Sequence, residues 1–256
     1  YLANAGHPAD AYRLRESLHS NHASITPTVR QVAATTSAPQ PPSQTTSPTT
    51  MRSTIDLPVP THSQETHKGE YPKFDGGGEA WCSPTSTEMV VEYWGRGPSA
   101  TDLRSLPADP VLEQHHHQDA SVDWAALHTY DQDYQGTGNW PFNTAYAAYY
   151  GLDSSVRQFD SLQAIEGWIK QGIPVVVSIN WDNTSTDTSK HLDGVGVPKS
   201  AGHLMVVRGF TKDGAVITND PAFANNQQVR HVYRRDQFEF RWQAGSAGAV
   251  YLIKAI

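Results

Sequence analysis

The chain is poor in cysteine, with one, Cys82, in 256 residues. A single thiol excludes an intrachain disulfide and any metal site built on several cysteines. It leaves two readings of Cys82, an inert core residue or a nucleophile, and a free cysteine is by default a buried one. Charge is scarce too: 18% of residues are charged, 19 basic against 26 acidic, for a net of −7. That balance argues against binding the phosphate backbone of a nucleic acid. Long apolar runs are also missing. The longest, such as IPVVVSI at 173–179, fall far short of the ~20 residues of a membrane span, so no membrane insertion is expected, and they suit buried strands. The chain opens on Tyr1 with no basic segment followed by an apolar stretch. A leader has been removed, was never there, or lies upstream. No internal repeat is evident.

Composition divides what is present. Residues 35–54 (TTSAPQPPSQTTSPTTMRST) are almost all Thr, Ser, Pro, Gln and Ala. Such a stretch has no apolar face and reads as a solvated linker. It also accounts for part of the low mean hydropathy of −0.54. Upstream, AYRLRESL and PTVRQVAATT read as extended segments that cannot close a core alone, so 1–34 is expected to be the remnant end of a larger β-rich accessory domain or a pair docked on the main domain. The main domain is expected over 55–256. Its pattern is helices first (83–94, 121–130, 143–151 and 160–172) and strands later (174–181, 203–210, 215–219, 228–234 and 248–254). Asp160 stands as the cap of the fourth helix, with Gln163 three residues on. Helices followed by a mostly antiparallel sheet is the α+β pattern.

Position decides between the two readings of Cys82. It lies in GGGEAWCSPTSTEMVVEYWG, between three glycines (76–78) and the first turn of the clearest early helix. A thiol there feels the positive end of the helix dipole and unpaired backbone N–H groups, which stabilise thiolate. Gly77 and Gly78 would let a substrate backbone approach closely, and Trp81 stands beside the thiol as a wall of the cleft or as core. A thiolate needs a base. His203 opens the apolar run HLMVVRGF after Gly202, at the mouth of a buried strand, and the chain continues TKDG-AVITNDP as a hairpin. An even-length loop puts Asp220 on the face of His203, and an odd one would put Asn219 there.

WCSPTS, GHLMVVRGF and NDP, in that order, resemble the papain-like cysteine peptidases related to bacteriocin-leader (double-glycine) peptidases. GGGEAWCSPTS and GTGNWPFN (136–143) resemble a secreted actinobacterial branch of them. The likeness spans roughly 55–256. It implies a papain-like α+β fold, a Cys-His-Asp triad on Cys82, His203 and Asp220, and hydrolysis of peptide bonds through a thioester acyl-enzyme. It also implies an oxyanion-hole glutamine on a strand before the nucleophile helix, matched by Gln64 in VPTHSQ. Gln64 lies eighteen residues before Cys82, so the loop 65–81 must fold back for it to reach the site. Further implications are a peptide or protein substrate, no cofactor, a bacterial source, export from the cell and a monomer. Acyl transfer of transglutaminase type on the same triad, or a non-catalytic module binding peptide or glycan, are the competing readings.

Other features carry less. His115-His116-His117 invites a metal, but adjacent side chains splay apart and no second cluster with ligand spacing is visible nearby. The triplet reads as a solvated loop, and no metal is expected. Trp140 in NWPF, at a loop–helix junction, is a candidate to line a groove. Tyr146, Tyr149 and Tyr150 read as helix packing. The polar loop 182–202 before His203 reads as a gate or as variable surface.

Overall fold

The computed structural model describes residues 45–256, together with Val29 and Val32. The expectations for 1–34 and for the first half of the linker therefore lie outside the described residues. What is described from Thr45 onward belongs to one compact unit, Ala34–Ile256. No helix among the described residues is long and apolar enough to cross a membrane.

The elements run β1 (Ile55–Asp56), α1 (Cys82–Tyr93), α2 (Ala100–Arg104), α3 (Pro110–Gln114), α4 (Ala120–Thr129), α5 (Trp140–Tyr149), β2 (Asp153–Gln158), α6 (Leu162–Ile169), β3 (Val175–Asp182), β4 (Lys199–Phe210), β5 (Val216–Asn219), β6 (Arg230–Tyr233), α7 (Arg235–Ser246) and β7 (Ala249–Lys254). The strands form one sheet in the order β2-β7-β3-β4-β5-β6, with β1 paired to the far end of β4. Every pairing is antiparallel. This is the α+β architecture expected from the sequence.

Helices cover both faces of the sheet. Val175, Val177 and Ile179 join Met205, Val207, Leu252 and the apolar faces of α6 and α7 in one cluster. Val176, Leu204, Val206 and Tyr251 join α1, α4 and α5 in the other. A central strand covered on both faces has no polar side to alternate, which is why IPVVVSI is a continuous apolar run.

The short elements β1, α2 and α3 are not expected from the sequence, and four further features differ from expectation for identifiable reasons. β2 (DSSVRQ) is a polar edge strand paired only with β7, so it carries no apolar signal. α7 was missed because Glu239 and Arg241, residues that normally mark a wet face, are buried in it beside Phe238 and Trp242. The helix α6 starts at Leu162 with no side-chain cap. Its first N–H is taken by Glu239 Oε1 of α7 at 2.8 Å instead of by Asp160. The second half of the linker is not solvated. Buried Glu166 of α6 accepts from Thr49 Oγ1, Thr50 N and Thr50 Oγ1 and pairs with Arg235 at 2.7 Å. Met51 enters the core. Docking of the chain therefore begins near Ser47, whose N–H is held by Glu239.

The helix α1 is buried all the way round from Cys82 to Val91. Its polar residues each have a task. Ser83 meets Tyr251 Oη at 2.9 Å, Thr85 donates back to Trp81 O, and Ser86 donates to Leu204 O at 2.9 Å. Gly95 ends the helix with a left-handed φ of 65°. Glu88 is the costly member. Burial pushes its carboxyl from 4.5 up to about 8 despite a hydrogen bond from Tyr146. Between those values the unfolded chain releases a proton that the folded chain keeps, so this residue makes stability fall as pH rises from 4.5 to 8. Glu88→Gln is expected to remove that slope. Relative to the native chain, the variant should gain on the order of 3 kcal/mol between pH 4.5 and pH 9 in urea unfolding.

Candidate active site

Cys82 is the first residue of α1, reached through a 3-10 turn, Gly78–Trp81, whose last residue provides no side-chain cap. The N–H groups of the first helical turn are therefore left for another acceptor. The Cys82 side chain is 8% exposed. Ser86, one turn on, is bonded to the carbonyl of Leu204, the residue after His203. That bond ties the nucleophile helix to the strand of the expected base.

His203 lies in β4 opposite Ile179, 3% exposed. Its Nε2 meets Asp220 Oδ1 at 2.7 Å, and the Cys82 side chain is near enough to the ring to favour its charged form. The route to this pairing differs from the expected one. The hairpin loop spans residues 211–215, an odd number, between the pairs Phe210↔Val216 and Gly209↔Ile217. Carried on unbroken, that register would put Asn219 on the face of His203. A bulge at Arg208 inserts one residue, so that Val206 pairs with Asn219. Asp220 then aligns with Met205, on the His203 face. Asn219 turns the other way and holds the segment before Gln64 through Pro60 O at 2.7 Å.

Asp220 is fully buried and accepts two further bonds, from Tyr233 Oη at 2.6 Å and Ala222 N at 3.0 Å. Burial opposes its ionisation, but the His203 charge and these donors outweigh burial and hold the carboxyl below its usual range. Burial likewise opposes a charged His203. The charge and hydrogen bond of Asp220, with Cys82, prevail and raise the ring from 6.5 to about 10. Trp181 stands edge-on to the ring at 5.3 Å and is itself 2% exposed, shielding the pair from water. Tyr233 and Trp181 carried no signal in the sequence, since aromatic residues in strands are ordinarily core.

Gln64 opens a 3-10 turn, Gln64–His67, instead of lying on a strand. This turn packs on the Gly78–Trp81 turn that leads into Cys82. The Gln64 backbone N–H donates to Pro221 O at 3.0 Å, one residue beyond Asp220. One side-chain N–H goes to Glu65 at 3.2 Å and the side-chain oxygen is buried without a donor. Two buried histidines, unremarked in the sequence, clamp the turn from either side. His62 bonds Glu92 Oε2 of α1 at 2.7 Å and pairs with Asp119, the residue before α4, at 3.2 Å. Burial disfavours the charged ring, yet the two carboxylates lift it to about 10. His67 meets Glu70 at 2.7 Å and Asp123 of α4 at 3.3 Å. The loop 65–81 thus folds back as the position of Gln64 requires.

The expected substrate contacts fare unevenly. Trp81 is wholly buried, donates to Phe74 O at 2.6 Å and packs with Tyr71, Leu112 and Val122 in a third small core. It walls no cleft. Gly77 serves chain packing instead of substrate access, because a Cβ there would stand 1.8 Å from His67 O. Gly78 is buried against Lys68. Gly202 is exposed with open space around it, and Trp140 packs against the cluster that contains Cys82. A cleft of about 630 Å³ is lined by Glu79, Trp181, Asp182 and Ala201, and neither Cys82 nor His203 is among its lining residues. Lys190 and Arg241 lie along it. The loop 182–202 is pinned, since Asn183 bonds Leu192 through both its amide and its carbonyl. His115 is not a free loop residue but bonds Glu70 Oε1 at 2.6 Å. The second cluster that the sequence hid is next to it: ligand atoms of His67, Glu70 and Asp123 lie within 4.8 Å of one another.

The Peptidase_C39 like family matches residues 56–250, well over half of the chain. Among solved structures, the fold is similar to a C39-like peptidase from Bacillus anthracis, at 16% identity and TM-score 0.45, over 78% of this chain and 98% of that one. It is also similar to a double glycine motif protease from an AMS/PCAT transporter, in complex with the leader peptide, at 14% identity and TM-score 0.39, over 80% and 96% of the two chains. A fragment of prointerpain A from Prevotella intermedia is similar at 13% identity and TM-score 0.39, over 78% and 73%. No curated protein matches the chain. With its helix-covered antiparallel sheet, the chain belongs to the Peptidase_C39 like family, cysteine peptidases of papain-like α+β fold.

Proposed function

We propose that the chain hydrolyses peptide bonds, with Cys82 as nucleophile, His203 as proton carrier and Asp220 as the group that holds the imidazole. The observation that carries this reading is the 2.7 Å bond between His203 Nε2 and Asp220 Oδ1, which commits one ring edge and leaves the other for Cys82. Cys82 Sγ, its proton taken by His203, attacks the carbonyl carbon. The carbonyl oxygen gathers negative charge, and the Cys82 N–H with the spare N–H of Gln64 receives it. As the C–N bond breaks, the imidazolium gives its proton to the leaving amine. Water then loses a proton to His203 and attacks the thioester, which releases the acid and returns the thiol. The substrate is a peptide or an exposed protein segment.

A peptide-library digest compared with Cys82→Ala tests the proposal. The native chain should yield new termini that the variant lacks. Identical product spectra would sink it in favour of a non-catalytic module. Gln64→Ala should lower kcat by about 10²-fold with KM little changed, as expected for an oxyanion donor. An unaltered kcat would remove Gln64 from the site.

A further inference from the structure

The cluster His67, Glu70 and Asp123 is built unlike its neighbour. At His62, each carboxylate has a second donor: Ser121 for Glu92 at 2.7 Å, and Asn226 for Asp119 at 2.7 Å. Ion pairing and these neutral donors together supply both carboxylates of that group. At His67 all three side chains are wholly buried, and no donor among the described residues is aimed at either oxygen of Asp123. Glu70 is held from outside by His115 at 2.6 Å. Leaving a buried carboxylate without donors is expensive.

The imidazole cannot supply the deficit. His67 Nδ1 stands 2.7 Å from Glu70 Oε2 and 3.3 Å from Asp123 Oδ2, and its one N–H points at a single acceptor. Given to Glu70, it leaves Asp123 bare. With the proton on Nε2, which has no partner of its own, three lone-pair atoms face one another. A cation between them removes the conflict in the second case, bound by the Nδ1 lone pair while the proton stays on Nε2. Donors about 2.0 Å from a tetrahedral zinc ion stand ~3.3 Å apart, so the 3.3 Å spacing to Asp123 already fits, while Glu70 must draw back by roughly half an ångström from 2.7 Å. One imidazole and two carboxylates suit zinc better than calcium, which takes six or more oxygens.

We propose that His67, Glu70 and Asp123 bind a Zn²⁺ ion, with His115 orienting Glu70 from the next shell. The ion would join the segment that carries Gln64 to α4. The site is closed and lies in the fold-back loop, which suits a structural ion. It is independent of the proposed hydrolysis.

The test uses the full chain, stripped of metal by chelator and titrated with Zn²⁺ alone. Calorimetry and metal analysis should give one ion per chain, and saturating Zn²⁺ should raise the melting temperature by roughly 5 °C or more. Asp123→Asn and His67→Gln should each abolish stoichiometric binding and the thermal shift while keeping the native circular dichroism. Removing the exposed pair, His116→Ala with His117→Ala, should change neither. If a variant fails to fold, the native chain still decides, because absence of stoichiometric Zn²⁺ and of any thermal shift overturns the proposal. Undiminished binding by folded Asp123→Asn would overturn it equally, since the ion would then lie elsewhere.

Discussion

One inserted residue in β4 determines what His203 meets. Side chains alternate along a strand, so a one-residue change of register exchanges the two faces. The loop between β4 and β5 has the parity that would offer Asn219 to His203, and the bulge at Arg208 reverses it. The bulge is not a loose spot. Arg208, 9% exposed, pairs with Asp56 at 2.7 Å and donates to Val59 O at 3.1 Å and Asn219 Oδ1 at 2.9 Å. The residue that makes the extra step also fastens β1 and the chain leading to Gln64. The bond between His203 and Asp220, the direction of Asn219 and the approach of the fold-back loop therefore share one origin.

The rest of the site is held by buried polar bonds instead of apolar contact. Ser86 ties α1 to the carbonyl beside His203, Ser83 ties it to β7, and α4 receives both histidine clamps within its first turn and cap. A buried polar bond is modest in net worth but costly to leave half made. Such a network fixes positions more than it adds stability, and the proposed nucleophile, base and oxyanion donor come from three segments that need fixed positions. Glu88, Asp123 and the side-chain oxygen of Gln64 are among the places where the network is incomplete.

Much of this was legible in the sequence, and the remainder was not for physical reasons. Cys82 stood out because Gly76–Gly78 and Pro84 bracket a helix start, a local signal. His203 stood out at the head of a buried strand. Asp220 came from an even-loop argument whose premise fails, and the bulge that rescues it depends on Arg208 finding Asp56 far upstream. Trp81 reads from the sequence as cleft wall or core, and its burial decides for core, since adjacency in sequence to Cys82 does not mean a shared face at a turn. His62 and His67 gave no sign, since their partners on α1 and α4 are brought near only by folding. Their spacing around Gln64 in THSQETH, with Asp119 and Asp123 one turn apart, was the available clue.

The central claim is that Cys82 and His203 act as a pair. Iodoacetamide labelling of Cys82 at pH 6, compared with glutathione and with His203→Ala, tests it most directly. A working pair should make Cys82 react at least about tenfold faster than glutathione, and His203→Ala should reduce it to the rate of the free thiol or below. A native rate no faster than glutathione, or one untouched by the substitution, would contradict the pairing.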